Sequence, residues 1–251
     1  MARKPHFAEA SAGLLGLLPQ AAQETANEPP GHLGHRARMR QKLLGAGPEA
    51  LLDHELLEML LFIALPRRDT KPIARALIAR FGDFAVVLAA APEELQETEG
   101  MGEAGAAALK AVQAAALRMM RAGLREQPLL DNWDRLIGYL TAAIAREPIE
   151  QFRVLFLDAK NRLIADEAQA RGTVNHTPVY PREVVKRALA LQATALILVH
   201  NHPSGDPTPS RADIEMTQEV KAAATVLGIA LHDHLIIGRG RHLSFRREGL
   251  L

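Results

Sequence analysis

Ala195-Leu196-Ile197-Leu198-Val199 is an unbroken apolar run that ends at once in His200-Asn201-His202-Pro203. A half-exposed strand alternates apolar and polar residues, whereas a run apolar at every position reads as a central strand buried on both faces. Pro181 to Leu191 reads as a helix with proline in its first turn, and Ser210 to Leu227 as a second. Phe152 to Leu157 alternates and is β-rich, Asp158-Ala159-Lys160-Asn161 makes a turn, and Arg162 to Ala168 returns as the other arm of a hairpin. Ile229 to Ile237 and His242 to Phe245 read as further strands. The C-terminal half is therefore expected to be an α/β module.

The N-terminal half follows a different period. From about Arg36 to Arg121 apolar residues recur at three and four, and no period-two strand is visible. Leu51 to Leu61 reads as a buried helix. Asp69 and Thr70 precede Pro72 as an N-cap and first-turn proline, and Phe81-Gly82 closes that helix. Pro92 opens another helix, Gly100-Met101-Gly102 interrupts, and Ala104 to Met120 is one long alanine-rich helix. Gly123 to Asn132, with Gly123, Pro128 and Asp131, reads as a linker before a helix over Trp133 to Ala145. The expected division is a frayed tail over 1–30, an all-α module over 31–125 and an α/β domain over 126–251.

Composition removes several classes of function. The chain has no cysteine, so disulfides, Cys-ligated zinc and iron–sulfur clusters are excluded. Any metal must rest on carboxylates and the 10 histidines. A reducing, cytoplasmic setting fits. With 30 Lys+Arg against 29 Asp+Glu, bulk charge cannot hold the chain on nucleic acid. Aromatic residues are only 4%, which argues against stacking of single-stranded bases. No apolar stretch is long enough to cross a membrane. Ala10 to Leu18 follows Arg3 and Lys4 in the manner of a short signal segment, but its two glycines and serine, and Pro19 and Gln20 behind it, favour a tail.

Chemistry concentrates in His200-Asn201-His202-Pro203-Ser204-Gly205-Asp206-Pro207-Thr208-Pro209-Ser210-Arg211-Ala212-Asp213. Histidines at i and i+2 of an extended chain share a face, with Cα atoms about 6–7 Å apart, so their imidazoles can meet on one ion. Asp213 follows His202 by eleven residues, at the start of the next helix. Two histidines, one carboxylate and an open fourth position make a catalytic Zn²⁺ site, and this donor set suits zinc over Mg²⁺ or Ca²⁺. Taken alone, His-x-His is common and Ser210-x-x-Asp213 is a capping box. Together, a buried strand ending in His-x-His-Pro, a constrained loop and a first-turn Asp point to a metal site.

This segment resembles the JAMM motif of the JAB/MPN metalloprotease superfamily: His-x-His-Pro, then Ser-x-x-Asp, with ten residues between the second His and the Asp. His200 to Gly205, Tyr180-Pro181-Arg182-Glu183-Val184-Val185-Lys186, Arg171-Gly172-Thr173 and Asp233-His234 look like the RadC family, a resemblance running from about Arg36 to Leu251. It implies a JAB/MPN-like domain, a mixed sheet flanked by helices. It also implies one Zn²⁺ per chain on His200, His202 and Asp213, with Ser210 holding the tetrahedral intermediate. A glutamate entering the first strand would be the general base. Glu150 fills that place by topology, with Glu183 and Glu167 as rivals. Asp233 and His234 read first as structural groups or partners of the metal ligands. The implied activity is a zinc metallopeptidase cleaving peptide or isopeptide bonds.

Leu95 to Leu109, around Gly100-Met101-Gly102, resembles a helix-hairpin-helix, in which backbone N–H groups and a helix N-terminus meet a DNA phosphate. A tight helix–helix turn explains the same glycines. Glu97, Glu99 and Glu103 surround the turn and would repel phosphate, and residues 1–125 carry 15 Lys+Arg against 14 Asp+Glu. Arg36, Arg38, Arg40 and Lys42 form the local basic cluster, which also reads as a solvated helix face. The expected partners are a protein or peptide substrate and DNA through the N-terminal module, with no membrane. The alternative is a DNA-repair accessory protein whose zinc site is structural or vestigial. A nuclease ranks third, because a single carboxylate ligand lacks the two-metal pattern.

Overall fold

The computed structural model describes residues 34–171 and 179–251. The expected tail over 1–30 and the pair Gly172-Thr173 lie outside the described residues. The chain divides after Leu52 into two compact units, Met1–Leu52 and Asp53–Leu251. The described part of the first forms α1 (His35–Ala46) and a 3-10 turn over Pro48–Ala50. Of the basic cluster on α1, Arg40 is exposed, and Arg36, Arg38 and Lys42 are half-buried.

The second unit begins with α2 (Asp53–Ala64), α3 (Lys71–Phe81), α4 (Phe84–Ala89), α5 (Pro92–Gln96) and α6 (Gly102–Arg125). Leu57 and Leu61 lie one turn apart on α2 and pack with Ile73, Ala74 and Leu77 of α3, Val87 of α4, Leu95 of α5 and Leu109 of α6. At α3, Thr70 takes the N-cap position, but its hydroxyl turns to the Glu58 carbonyl. The Asp69 carboxylate instead accepts from the Lys71 N–H at 3.1 Å. The glycine turn before α6 is fixed by packing. Gly100 has φ +84°, a Cβ there would meet Ile73 at 3.1 Å, and the Arg68 guanidinium donates to its carbonyl at 2.8 Å.

α6 extends beyond the expected Ala104–Met120 at both ends. The segment expected as a linker is partly helix and partly core: Leu124 on α6 and Leu129, in a 3-10 turn over Leu129–Asn132, are buried with the sheet residues. Burying Leu124 is worth about 1.5–3 kcal/mol, more than the roughly 1 kcal/mol cost of Gly123 in a helix.

α7 (Trp133–Ile144) leads into β1 (Gln151–Leu157), β2 (Leu163–Arg171), α8 (Pro181–Ala190), β3 (Ala195–Asn201), α9 (Arg211–Val226), β4 (Ala230–Ile237) and β5 (His242–Ser244). The strands form one sheet in the order β2-β1-β3-β4-β5. β3 runs antiparallel to β1 and parallel to β4, and β2 and β5 are antiparallel edges. Period two divides the central strand between two cores. Ile197 and Val199 pack with Leu136, Tyr139, Leu140 and Ile144 of α7. Leu196 and Leu198 pack with Val184, Val185 and Ala188 of α8 and Val220 and Ala224 of α9. A helical region is thus followed by a mixed sheet with helices on both faces, as the resemblance implied. The parallel pair β3–β4 requires a crossover, supplied by α9. The carboxyl end of β3 and the first turn of α9 therefore meet at one edge of the sheet, where open α/β sheets place their ligands.

Candidate metal centre

β3 continues through His200 to Asn201, so the same alternation that buries Leu196 and Leu198 carries His200 to the face of α9. His202 follows the strand, its N–H bonded to the Ile237 carbonyl at 3.1 Å. Asp213 sits in the first turn of α9. Its carboxylate accepts from the Ser210 N–H at 2.7 Å and the Ser210 hydroxyl at 2.6 Å, while the Asp213 N–H donates to the Ser210 Oγ at 3.2 Å. The capping box and the candidate ligand position are thus one arrangement. The cap holds one oxygen of Asp213 and aims the carboxylate back at the histidines.

The three donor groups converge. His200 Nε2 lies 3.0 Å from His202 Nε2 and 3.3 Å from Asp213 Oδ1, and His202 Nε2 lies 3.7 Å from Asp213 Oδ2. Ligand atoms bonded at about 2.0–2.1 Å to a tetrahedral zinc stand about 3.3–3.4 Å apart, and these separations bracket that value. His202 Nδ1 faces the Asp206 carbonyl at 2.7 Å. A carbonyl only accepts, so Nδ1 carries a proton there, and Nε2 is the atom turned towards His200 and Asp213. Two imidazole nitrogens at 3.0 Å beside a carboxylate suit a shared cation. His200 is 1% exposed, against 17% for His202 and 14% for Asp213, so the fourth side opens past the latter two.

Burial drives His200 down to about 4, against the pull of Asp213. The Asp213 hydrogen bond, opposed by burial, holds His202 above the ordinary imidazole value, with help from the Asp206 carbonyl and the charge of Glu150. For Asp213, burial pushes upward, but His202, His200 and Ser210 outweigh it and hold the carboxyl well below its usual range.

Glu150 immediately precedes β1, is half-buried, and acts electrostatically on His202. Its segment is held by Asn201, the residue between the two histidines, whose side chain alternation sends to the α7 side. The Asn201 Oδ1 accepts from the Gln151 N–H at 2.8 Å, and its Nδ2 donates to the carbonyls of Glu147 and Ile149, each at 3.3 Å. The rival acids are held in ion pairs. Glu183, on the first turn of α8, faces Arg182 at 3.3 Å and Lys186 at 3.9 Å. Glu167 on β2 takes Arg187 with both oxygens, at 2.6 and 2.8 Å.

Asp233 and His234, adjacent on β4, divide their work. The Asp233 carboxylate accepts from Ser244 Oγ, the Arg246 N–H at 3.0 Å and the His234 N–H at 2.8 Å, which fastens the turn after β5. That turn lays Phe245 on the His234 ring, centroids 4.5 Å apart. His234 in turn contacts His200, with Nε2 2.8 Å from Nδ1. The loop between His202 and Asp213 is also braced. Arg239 donates to the Pro203 carbonyl at 3.1 Å, and Gly238 lies so close that a Cβ would stand 2.3 Å from the Gly205 oxygen. Asn201, Thr217, Gly238 and Arg239 were not singled out by sequence reasoning. Only Asn201 carried a local signal, its place inside His-x-His.

Comparison with known proteins agrees with this architecture. A family described as the RadC-like JAB domain matches residues 130–250, and one described as UPF0758 N-terminal matches residues 32–107. The chain is 62% identical over 213 residues to a UPF0758 protein of Rhodobacter capsulatus, covering 85% of this chain and 100% of that protein. It is 56% identical over 217 residues to a UPF0758 protein of Ruegeria pomeroyi, covering 86% of this chain and 97% of that one. JAB/MPN-type domains are metalloproteases in some members. The chain belongs to the UPF0758 family and carries a RadC-like JAB domain.

Proposed function

We propose that this chain is a zinc-dependent hydrolase that cleaves amide bonds, peptide or isopeptide, in a protein or peptide substrate. The observation that carries the reading is the convergence of two imidazole nitrogens and one carboxylate at tetrahedral spacing, with a fourth side open. His200, His202 and Asp213 would hold one Zn²⁺, which when bound supplies a Lewis acid and lowers the pKa of a water toward about 7. Glu150 accepts a proton from the attacking water and returns it to the leaving amine nitrogen. The Ser210 hydroxyl, now on Asp213 Oδ2, rotates to donate to the developing oxyanion. Asn201 keeps the Glu150 segment in register with the strand that carries both histidines.

The test is elemental analysis of untagged protein. About one zinc per wild-type chain is expected, lost in His202→Ala and Asp213→Ala and retained in Glu150→Gln, which should hydrolyse no member of a peptide library that wild type cleaves. A wild-type chain that takes up no zinc refutes the reading. Tight, salt-dependent DNA binding unaffected by His202→Ala would favour the accessory-protein alternative.

A further inference from the structure

His200 and His202 both point Nε2 at the candidate metal position, yet they fix their protons by different means. His202 rests its Nδ1 on a carbonyl. His200 rests its Nδ1 on another histidine, and an imidazole nitrogen can either give or take a proton. The contact alone therefore leaves the His200 tautomer undecided. The next link decides it. His234 Nδ1 lies 2.6 Å from Thr217 Oγ1, and the Thr217 hydroxyl donates to the Asp213 carbonyl one turn back on α9, at 2.5 Å. That hydroxyl has a single proton, already committed, so its oxygen accepts and His234 Nδ1 donates. A neutral His234 then has a bare Nε2, which accepts from His200 Nδ1–H. His200 is left with a lone pair on Nε2, facing His202 and Asp213.

We propose that Thr217 and His234 are positioning residues. Through a chain of hydrogen bonds that can run in one direction only, they hold His200 as the Nδ1–H tautomer and keep its Nε2 free for the metal. The surroundings support this. Thr217 and His234 are 0% exposed. Phe152 lies along His200 with centroids 6.2 Å apart and edge-on to His234 at 5.9 Å, and Phe245 covers His234. The chain starts from a backbone carbonyl of Asp213, itself a candidate ligand, so α9 sets both the carboxylate and the imidazole. This inference rests on the zinc reading for its purpose, but the tautomer it names belongs to the metal-free chain.

Thr217→Val keeps the shape of the side chain and removes the acceptor. To avoid an unsatisfied Nδ1–H, His234 would move its proton to Nε2 and donate to His200 Nδ1. His200 would then carry its proton on Nε2, aimed into the site. Long-range ¹H–¹⁵N NMR of the metal-free full chain should show His200 protonated at Nδ1 in wild type and at Nε2 in Thr217→Val. Zinc affinity, read by chelator competition, should fall about 10–100-fold in that variant. Thr217→Ser should restore both readouts, which a purely space-filling threonine would not do. His234→Phe, which keeps a ring but no acceptor, should also weaken zinc. A folded Thr217→Val chain that keeps the Nδ1–H tautomer, with zinc affinity within about twofold of wild type, would overturn the proposal. If wild type takes up no zinc, the hydrolase reading falls, and the NMR arm decides the tautomer relay by itself.

Discussion

The candidate ligands differ in how tightly they hold a proton, and that difference is measurable without substrate. His200 is held at about 4 in the fold, against 6.5 for an ordinary histidine. Between those values the unfolded chain binds the proton and the folded chain does not. Stability of the metal-free protein therefore falls on acidification through that window, by up to about 1.4 kcal/mol per pH unit. His234, also lowered by burial, adds in the same direction. His202 has the opposite sign. Its raised pKa gives stability that is fully present below the unfolded value of 6.5 and is lost as pH rises through the folded value. Urea midpoints measured with a chelator should thus peak near about pH 6.5 and decline on both sides. Saturating zinc, which requires neutral imidazoles, should remove the alkaline decline. A decline that persists with zinc would mean that His202 is not a ligand. The three candidate ligands were legible in the sequence because His-x-His and Ser-x-x-Asp are local patterns with local geometry. Thr217 and His234 were not legible as a pair, since 17 residues separate them and only the packing of α9 on β4 makes them neighbours.

Among the elements, those that announced themselves have strong end signals. Pro181 opens α8, Gly82 at φ +96° closes α3, and Asn161 at φ +58° turns the β1–β2 hairpin. α4 was missed. Phe84-Ala85-Val86-Val87-Leu88-Ala89 has no polar face to set a period, and its one signal is Asp83, whose carboxylate accepts from the Val86 N–H at 2.8 Å. Asn201 shows the same limit at the site. A polar residue ending an apolar strand looks like the strand meeting water, yet it is 0% exposed and joins β3 to the segment before β1. Asn201→Ala would leave the Gln151 N–H and two carbonyls without a partner. It should cost about 2–4 kcal/mol by urea unfolding. Because those groups bracket Glu150, the proposed hydrolysis should fall further than the proposed zinc affinity does. Equal losses would show that Asn201 supports the fold without placing the glutamate.

The organisation of the whole chain turns on α6. Its 24 residues span about 36 Å, long enough to serve two cores. Ala106 and Leu109 are buried among α2, α3 and α5, whereas Leu124 is buried and Leu117 half-buried against the sheet and α7. The sequence offered Gly123 and Pro128 as a boundary, because breakers are visible in a sequence and a shared helix is not. With both cores anchored on one rigid rod, residues 53–251 are expected to unfold in a single transition, with calorimetric and van't Hoff enthalpies in agreement. A fragment beginning at residue 126 loses the buried Leu124 and the cover of Leu117, about 1.5–3 kcal/mol for the first alone. It should melt well below the longer chain or fail to fold. The fragment 53–125 loses its partners on α7 and should fare no better. Two separate transitions in 53–251, or a 126–251 fragment as stable as the longer chain, would show that the helical and sheet cores fold independently and that α6 is only a spacer between them.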